Sequence, residues 1–173
     1  FIDRRKTGTM GDNFLIIITG IPGTGKTTLS RKMSEFLDIP VVNKDTIKEL
    51  LFDTLGYNSL EWTKRLGLVS FKLLHLITDT FLQMEKPFII ESNYDAECLK
   101  DEILSLQKRH NFTPIIVHCQ ADIEVIHRRA IERDRSKERH EGHKFGYWGT
   151  LEEFKAKSGD KVYKTPDVEG HIL

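Results

Sequence analysis

The sequence is poor in the features that would place it in several broad functional classes. It has two cysteines in 173 residues, Cys98 and Cys119. Their spacing fits neither a metal-ligand pair nor a redox pair, which excludes a disulfide-stapled scaffold and makes a reducing, cytoplasmic setting the simple expectation. Charge of one sign is not in excess: 26 basic residues balance 26 acidic ones, for a formal net charge of zero. No global basic field draws the chain to nucleic acid, and a local groove is the only route to such a partner. Long hydrophobic runs are missing. The stretch Phe14 to Ile18 is too short for a membrane span or a signal-peptide core, so a membrane partner is not expected. Five prolines and twelve glycines are spread without repeats or low-complexity tracts. With 39% hydrophobic and 30% charged residues, what remains is a soluble chain long enough for one domain with a real core.

Short apolar runs alternate with stretches of helical periodicity, the pattern of βαβ units around a parallel sheet. Strands are expected at Phe14–Thr19, Pro40–Asn43, Pro87–Glu91 and Thr113–Cys119, the last nearly all apolar, as a strand covered on both faces should be. Leu29, Met33, Phe36 and Leu37 mark a helix after the first strand. Further helices are expected from Asp45 to about Leu55, from Leu68 to Met84, around Leu99, Ile103 and Leu106, and from Asp122 onward. The fold class is therefore α/β, a three-layer α/β/α domain.

The most informative stretch is Gly20-Ile21-Pro22-Gly23-Thr24-Gly25-Lys26-Thr27, which satisfies G-x-x-x-x-G-K-[ST] between a strand and a helix. Each residue type has a physical reason. Glycines admit unusual dihedrals and let the backbone approach phosphate oxygens. Successive N–H groups form an anion-binding nest, reinforced by the N-terminus of the following helix. Lys26 reaches the β- and γ-phosphates, the Thr27 hydroxyl ligates Mg²⁺, and Thr28 lies near the α-phosphate. The expected nucleotide-binding set is thus Gly20, Pro22, Gly23, Thr24, Gly25, Lys26, Thr27 and Thr28, with Thr27 as the metal ligand and ATP and Mg²⁺ as cofactors.

A guanine-specific switch would carry N-K-x-D after a late strand. Here Asn43-Lys44-Asp45-Thr46 has the acid one place early and follows the second strand, so it reads as coincidence. A ring-forming motor needs a larger module with its own helical subdomain, for which there is little room. Small size, an acid opening the helix after the second strand and a late arginine cluster favour a kinase.

The cradle, "VVNKDTIKELLFDTLG", "PFIIESNY" and "VIHRRAIERDRSKERHEGH" together resemble the small P-loop kinases, a group that includes chloramphenicol phosphotransferase, the kinase domain of polynucleotide kinase and zeta-toxin-like proteins. The resemblance runs from Phe14 to the end of the chain. It implies a five-stranded parallel sheet in 2-3-1-4-5 order and an arginine-bearing lid. Residues 1–13 then read as an extension, with Met10 a natural start and a cloning remnant before it. Residues 14–173 read as the kinase domain, shortened at its last strand.

By the same resemblance Asp45 matches the acid that orients the acceptor hydroxyl, and in-line phosphoryl transfer needs such a group. As a helix N-cap, Asp45 would have a purely structural alternative role. Lys48 stands where polynucleotide kinases carry an arginine. Glu91, at the end of the third strand, faces the carboxyl-edge crevice where parallel sheets bind ligands. It could hold a Mg²⁺-bound water or an acceptor group, with Asn93 and Tyr94 shaping the pocket.

On the helix from Asp122, Ile123, Ile126 and Ala130 fall within a sector of about 60°. Arg129 and Arg133 lie beside that stripe, about 40° apart, while Arg128 and Arg135 point nearly opposite it. The first pair can reach over the cleft. The resemblance selects the same pair, plus Arg139 in the lid, for γ-phosphate charge stabilisation and adenine stacking. His140 and His143 lack a third ligand for zinc and belong to the lid. His75, His110, His118, His127 and His171, with Trp62 and Trp148, read as structural.

The expectation is an ATP-dependent kinase acting on a hydroxyl of a soluble acceptor, with Lys26, Asp45, Arg129 and Arg133 as catalytic residues and Asp45, Lys48, Glu91, Asn93 and Arg139 at the acceptor. The alternatives are a nucleotide-binding regulatory or toxin-like module and a polynucleotide 5′-hydroxyl kinase.

Overall fold

In a computed structural model, the structure describes residues 13–137, 139–144, 148–164 and 171–172. Residues 1–12, which include Met10, and the side chain of His171 lie outside that description. Five strands form one parallel sheet in the order β2-β3-β1-β4-β5. They are β1 (Phe14–Thr19), β2 (Val41–Asn43), β3 (Phe88–Glu91), β4 (Thr113–His118) and β5 (His171–Ile172). The helices are α1 (Lys26–Leu37), α2 (Lys44–Leu55), α3 (Leu60–Gln83), α4 (Ala96–Gln107), α5 (Ile123–Arg135) and α6 (Leu151–Tyr163). A 3₁₀ turn spans Glu141–His143.

Successive residues of a strand face opposite sides of the sheet, and β1 divides its isoleucines and leucine accordingly. Leu15 and Ile17 join Phe88, Ile90 and Ile116 in a buried cluster with Leu74 and Leu82 of α3 and Leu99, Ile103 and Leu106 of α4. Ile16 and Ile18 join Ile89 and Ile115 on the other face, where Leu29, Met33 and Leu37 of α1 cover them. A smaller cluster of Ile126 and Phe154, with Ile21 and Trp148 against it, joins α5 and α6 to the loop after β1. Burial on both faces is why the central strands read as unbroken apolar runs.

Two elements differ from expectation. Helix α3 begins at Leu60, eight residues before Leu68, because Ser59 caps it by accepting from the Trp62 N–H. Its buried face mixes Thr63, Ser70 and Thr78 with Leu66, Leu74 and Leu82, which dilutes the apolar period. Helix α6 follows the lid without having been expected, and a full capping box between Thr150 and Glu153 starts it. Among the described residues no helix is long and apolar enough to cross a membrane.

Candidate active site

Strand β1 delivers the chain to Gly20 at the carboxyl edge of the sheet. A side chain at Gly20 would collide with the carbonyl oxygen of Cys119 just past β4, and its φ of +132° is itself hostile to one. Gly25, at φ +96°, is the left-handed N-cap of α1. No side chain caps that helix and its first turn holds no acid. The first-turn N–H groups, and the positive end of the helix dipole, are therefore left for an anion. The loop is held closed from within: Thr24 Oγ1 donates to the Ile21 carbonyl at 2.9 Å and Lys26 Nζ donates to the same oxygen at 3.0 Å.

Beside the loop an open cleft of about 580 Å³ is bounded by Gly23, Gly25, Lys26, Thr27, Thr28 and the two arginines Arg129 and Arg133. Arg129 Nη1 donates to the Gly23 carbonyl at 3.3 Å, so α5 touches the loop directly. Arg128 turns away to a solvent-exposed pairing with Glu132, and Arg135 is exposed. Gly20 and Pro22 border a second cavity of about 190 Å³ on the far side of the loop, shared with Asn93, Tyr94 and His118. Burial lowers the pKa of Lys26 and Arg133 adds to that, while Glu91 and Asp45 act in the opposite direction.

Glu91 is 4% exposed. It accepts from Thr27 Oγ1 at 3.3 Å, from Ser30 Oγ at 3.4 Å, and from Asn43 Nδ2. The sheet register sets Asn43 directly beside Glu91. Burial raises the Glu91 pKa against the opposing pull of Lys26 and of the hydrogen bonds from Thr27 and Ser30. The Thr27 hydroxyl with a nearby carboxylate is a hard-oxygen pair suited to Mg²⁺, an ion that keeps several waters and needs few protein ligands. No cluster of three or more His, Cys, Asp or Glu residues able to hold a metal occurs among the described residues.

Asp45 lies across from the cradle at the start of α2. It does not cap that helix. Asn43 does, its Oδ1 accepting from Asp45 N at 2.7 Å and Thr46 N at 3.2 Å. The Asp45 side chain stays 56% accessible and forms an ion pair with Lys44 at 2.9 Å. Burial among neighbouring groups pushes its pKa up, but Lys44, by charge and hydrogen bond, with His143 and Lys26, outweighs this and holds the carboxyl below its ordinary value. Lys48 rests over the Phe52 ring, 5.1 Å from its centroid, and burial followed by Lys44 lowers its pKa. Asn93 Oδ1 accepts from Lys44 Nζ at 2.9 Å.

The lid turn folds back onto α2. His140 meets Asp53 at 3.0 Å, and His143 meets Glu49 at 3.1 Å. Both rings lie within 5.3 Å of the Phe52 ring, and burial pushes the His143 pKa down to about 4. Arg139 braces this lid: it pairs with Asp134 at 2.9 Å, donates to the His143 carbonyl at 3.1 Å and stacks near Trp148. Among the described residues, His110 meets Asp79 and His127 meets the Gly149 carbonyl. Trp62 donates to the Gly56 carbonyl at 3.1 Å, and Trp148 packs on Phe154.

Three residues at the site had no assigned role in the sequence reading: Ser30, Asn43 and Lys44. Asn43 had a legible signal, since asparagine between a strand and a helix is a strong N-cap. The contacts of Ser30 and Lys44 depend on chain segments far apart in sequence.

A profile of the AAA domain family (AAA_33) matches residues 15–147. A crystal structure from Chloroflexus aurantiacus, of a protein provisionally described as a kinase, is similar over 94% of this chain and 87% of its own, at 32% identity and a TM-score of 0.84. A Janibacter sugar kinase superposes over 93% of this chain and 84% of its own at 14% identity and a TM-score of 0.54. A chain of the Pnkp1/Rnl/Hen1 RNA repair complex does so over 91% of this chain and 49% of its own, at 18% identity and a TM-score of 0.58. The last two likenesses are of fold.

Proposed function

The chain belongs to the AAA domain family, with the fold of the small P-loop kinases, and on that premise we propose that it transfers the γ-phosphoryl group of ATP to a hydroxyl of a soluble acceptor. The kinase-like fold supports nucleotide-dependent phosphotransfer in general. The choice of a hydroxyl acceptor rests on one observation: Asp45 is released from capping by Asn43 and keeps a half-exposed carboxylate.

In this reading the amides after Gly25 and the Lys26 ammonium hold the β- and γ-phosphates. Thr27 would hold Mg²⁺, with Glu91 positioned to accept from a water of the ion, and the ion when bound would supply charge neutralisation at the phosphate oxygens. Arg129 and Arg133 stabilise charge that builds on the transferring group. Asp45 orients the acceptor hydroxyl in line and accepts its hydrogen bond, which is most of what phosphoryl transfer asks of a protein. The lid, held by Arg139 and His143, keeps water from competing as acceptor.

The test is a panel of nucleosides, sugars, antibiotics and oligonucleotides incubated with γ-labelled ATP or GTP and Mg²⁺. Label on one compound, lost in Asp45→Asn, is the expected result. Saturable nucleotide binding with no labelled product across the panel and no acceptor-stimulated turnover would favour a regulatory module instead.

A further inference from the structure

Lys44 takes no part in the phosphate cradle, yet it is 5% exposed. Burying an ammonium is costly unless its charge and its three protons are answered. Three elements answer it. Nζ lies 2.9 Å from Oδ1 of Asp45 on α2, donates to Oδ1 of Asn93 in the loop between β3 and α4 at 2.9 Å, and stands 5.0 Å from the centroid of the Phe71 ring on α3. Such a lysine has little freedom to move. One oxygen of Asp45 is thereby engaged, while the side chain as a whole keeps 56% of its surface accessible.

We propose that Lys44 is the positioning residue of this site: it clamps one oxygen of Asp45, ties it to Asn93, and so aims the other oxygen at an acceptor hydroxyl. This rests on the role proposed above for Asp45. The surrounding charges agree with it. Lys44 shares its own helix with Lys48 and Glu49, Lys26 faces Asp45 from α1, and Glu91 faces it from the end of β3. His143 and Arg139 face it from the lid. Of the influences that lower the Asp45 pKa, Lys44 is the strongest, through both its charge and its hydrogen bond. A purely packing role for Lys44 would be served equally by an apolar side chain of its length. A positioning role would not.

The experiment is a carboxyl ¹³C NMR titration of Asp45 in the full chain without nucleotide, where no acceptor is needed. Lys44→Met is expected to raise the Asp45 midpoint by about one pH unit, and Lys44→Arg to leave it near that of the unaltered protein. If Lys44→Met does not fold, Lys44→Gln, which can keep the bond to Asn93 without the charge, is expected to show the same rise. An unmoved midpoint in the uncharged variant that folds overturns the inference. Full labelling activity in Asp45→Asn would instead remove Asp45 from the reaction while leaving the clamp intact, so the two failures are distinguishable.

Discussion

At the scale of single residues, the site holds groups whose pKa values burial displaces, Lys26 downward and Glu91 upward. Lys26→Ala removes the one ammonium inside the cradle, and ATP turnover should fall by about 10²–10³-fold while the melting temperature changes little. Turnover assayed beside thermal unfolding checks both halves. Glu91 gives a pH dependence. Its folded pKa is raised above 4.5, chiefly by burial, so the folded chain binds that proton more tightly than the unfolded chain does. The carboxylate's contribution to stability is therefore unfavourable and grows as pH rises through this window. Metal binding at the proposed site would have the opposite slope, because only the ionised form would accept from a Mg²⁺-bound water. Affinity for Mg·ATP should weaken as pH falls into the range where Glu91 takes up its proton, and Glu91→Gln should flatten that dependence in calorimetric titrations. Residue identity made the cradle legible, since three of its positions require what only glycine does cheaply and a lysine must follow. Lys44 was not legible, because its partner Asn93 is 49 positions away and only the pairing of β2 with β3 brings the two segments together.

At the scale of elements, caps and apolar runs made the strands and most helices legible. Where a helix buried threonine and serine, as α3 does, periodicity lost its first two turns. The start of α6 was written in Thr150 and Glu153, a capping box that the lid composition before it obscured. The lid turn itself docks through shape. A Cβ on Gly142 would collide with the Phe52 ring, which is fully buried and has nowhere to move. Gly142→Ala should therefore loosen the turn from α2 and cost about 1–3 kcal/mol. Urea unfolding measures the loss, and faster proteolytic cleavage within 139–144 would locate it.

At the scale of the whole molecule, the sheet is a platform covered on both faces, and its stability is carried by side chains such as Leu74, which is fully buried between α3 and the sheet. Leu74→Ala should cost about 2–5 kcal/mol in denaturant unfolding without touching the site. Conversely, Mg·ATP at a hundred times its Kd should add about 2.7 kcal/mol to the unfolding free energy, a gain that Lys26→Ala should abolish. The parallel α/β class was legible because buried parallel strands leave so strong an apolar signature, whereas the strand order followed only from the resemblance to the small P-loop kinases. The meeting of the two halves of the site at one asparagine was not. Asn43 grips Glu91 with its amide nitrogen and the first amides of α2 with its oxygen. On the proposed reading, a nucleotide bound on one flank is expected to be coupled through Asn43 to the other. Thermodynamic reciprocity makes the consequence quantitative: whatever factor Mg·ATP applies to the affinity for the second substrate, the second substrate must return to Mg·ATP, and Asn43→Ala should bring that shared factor toward unity.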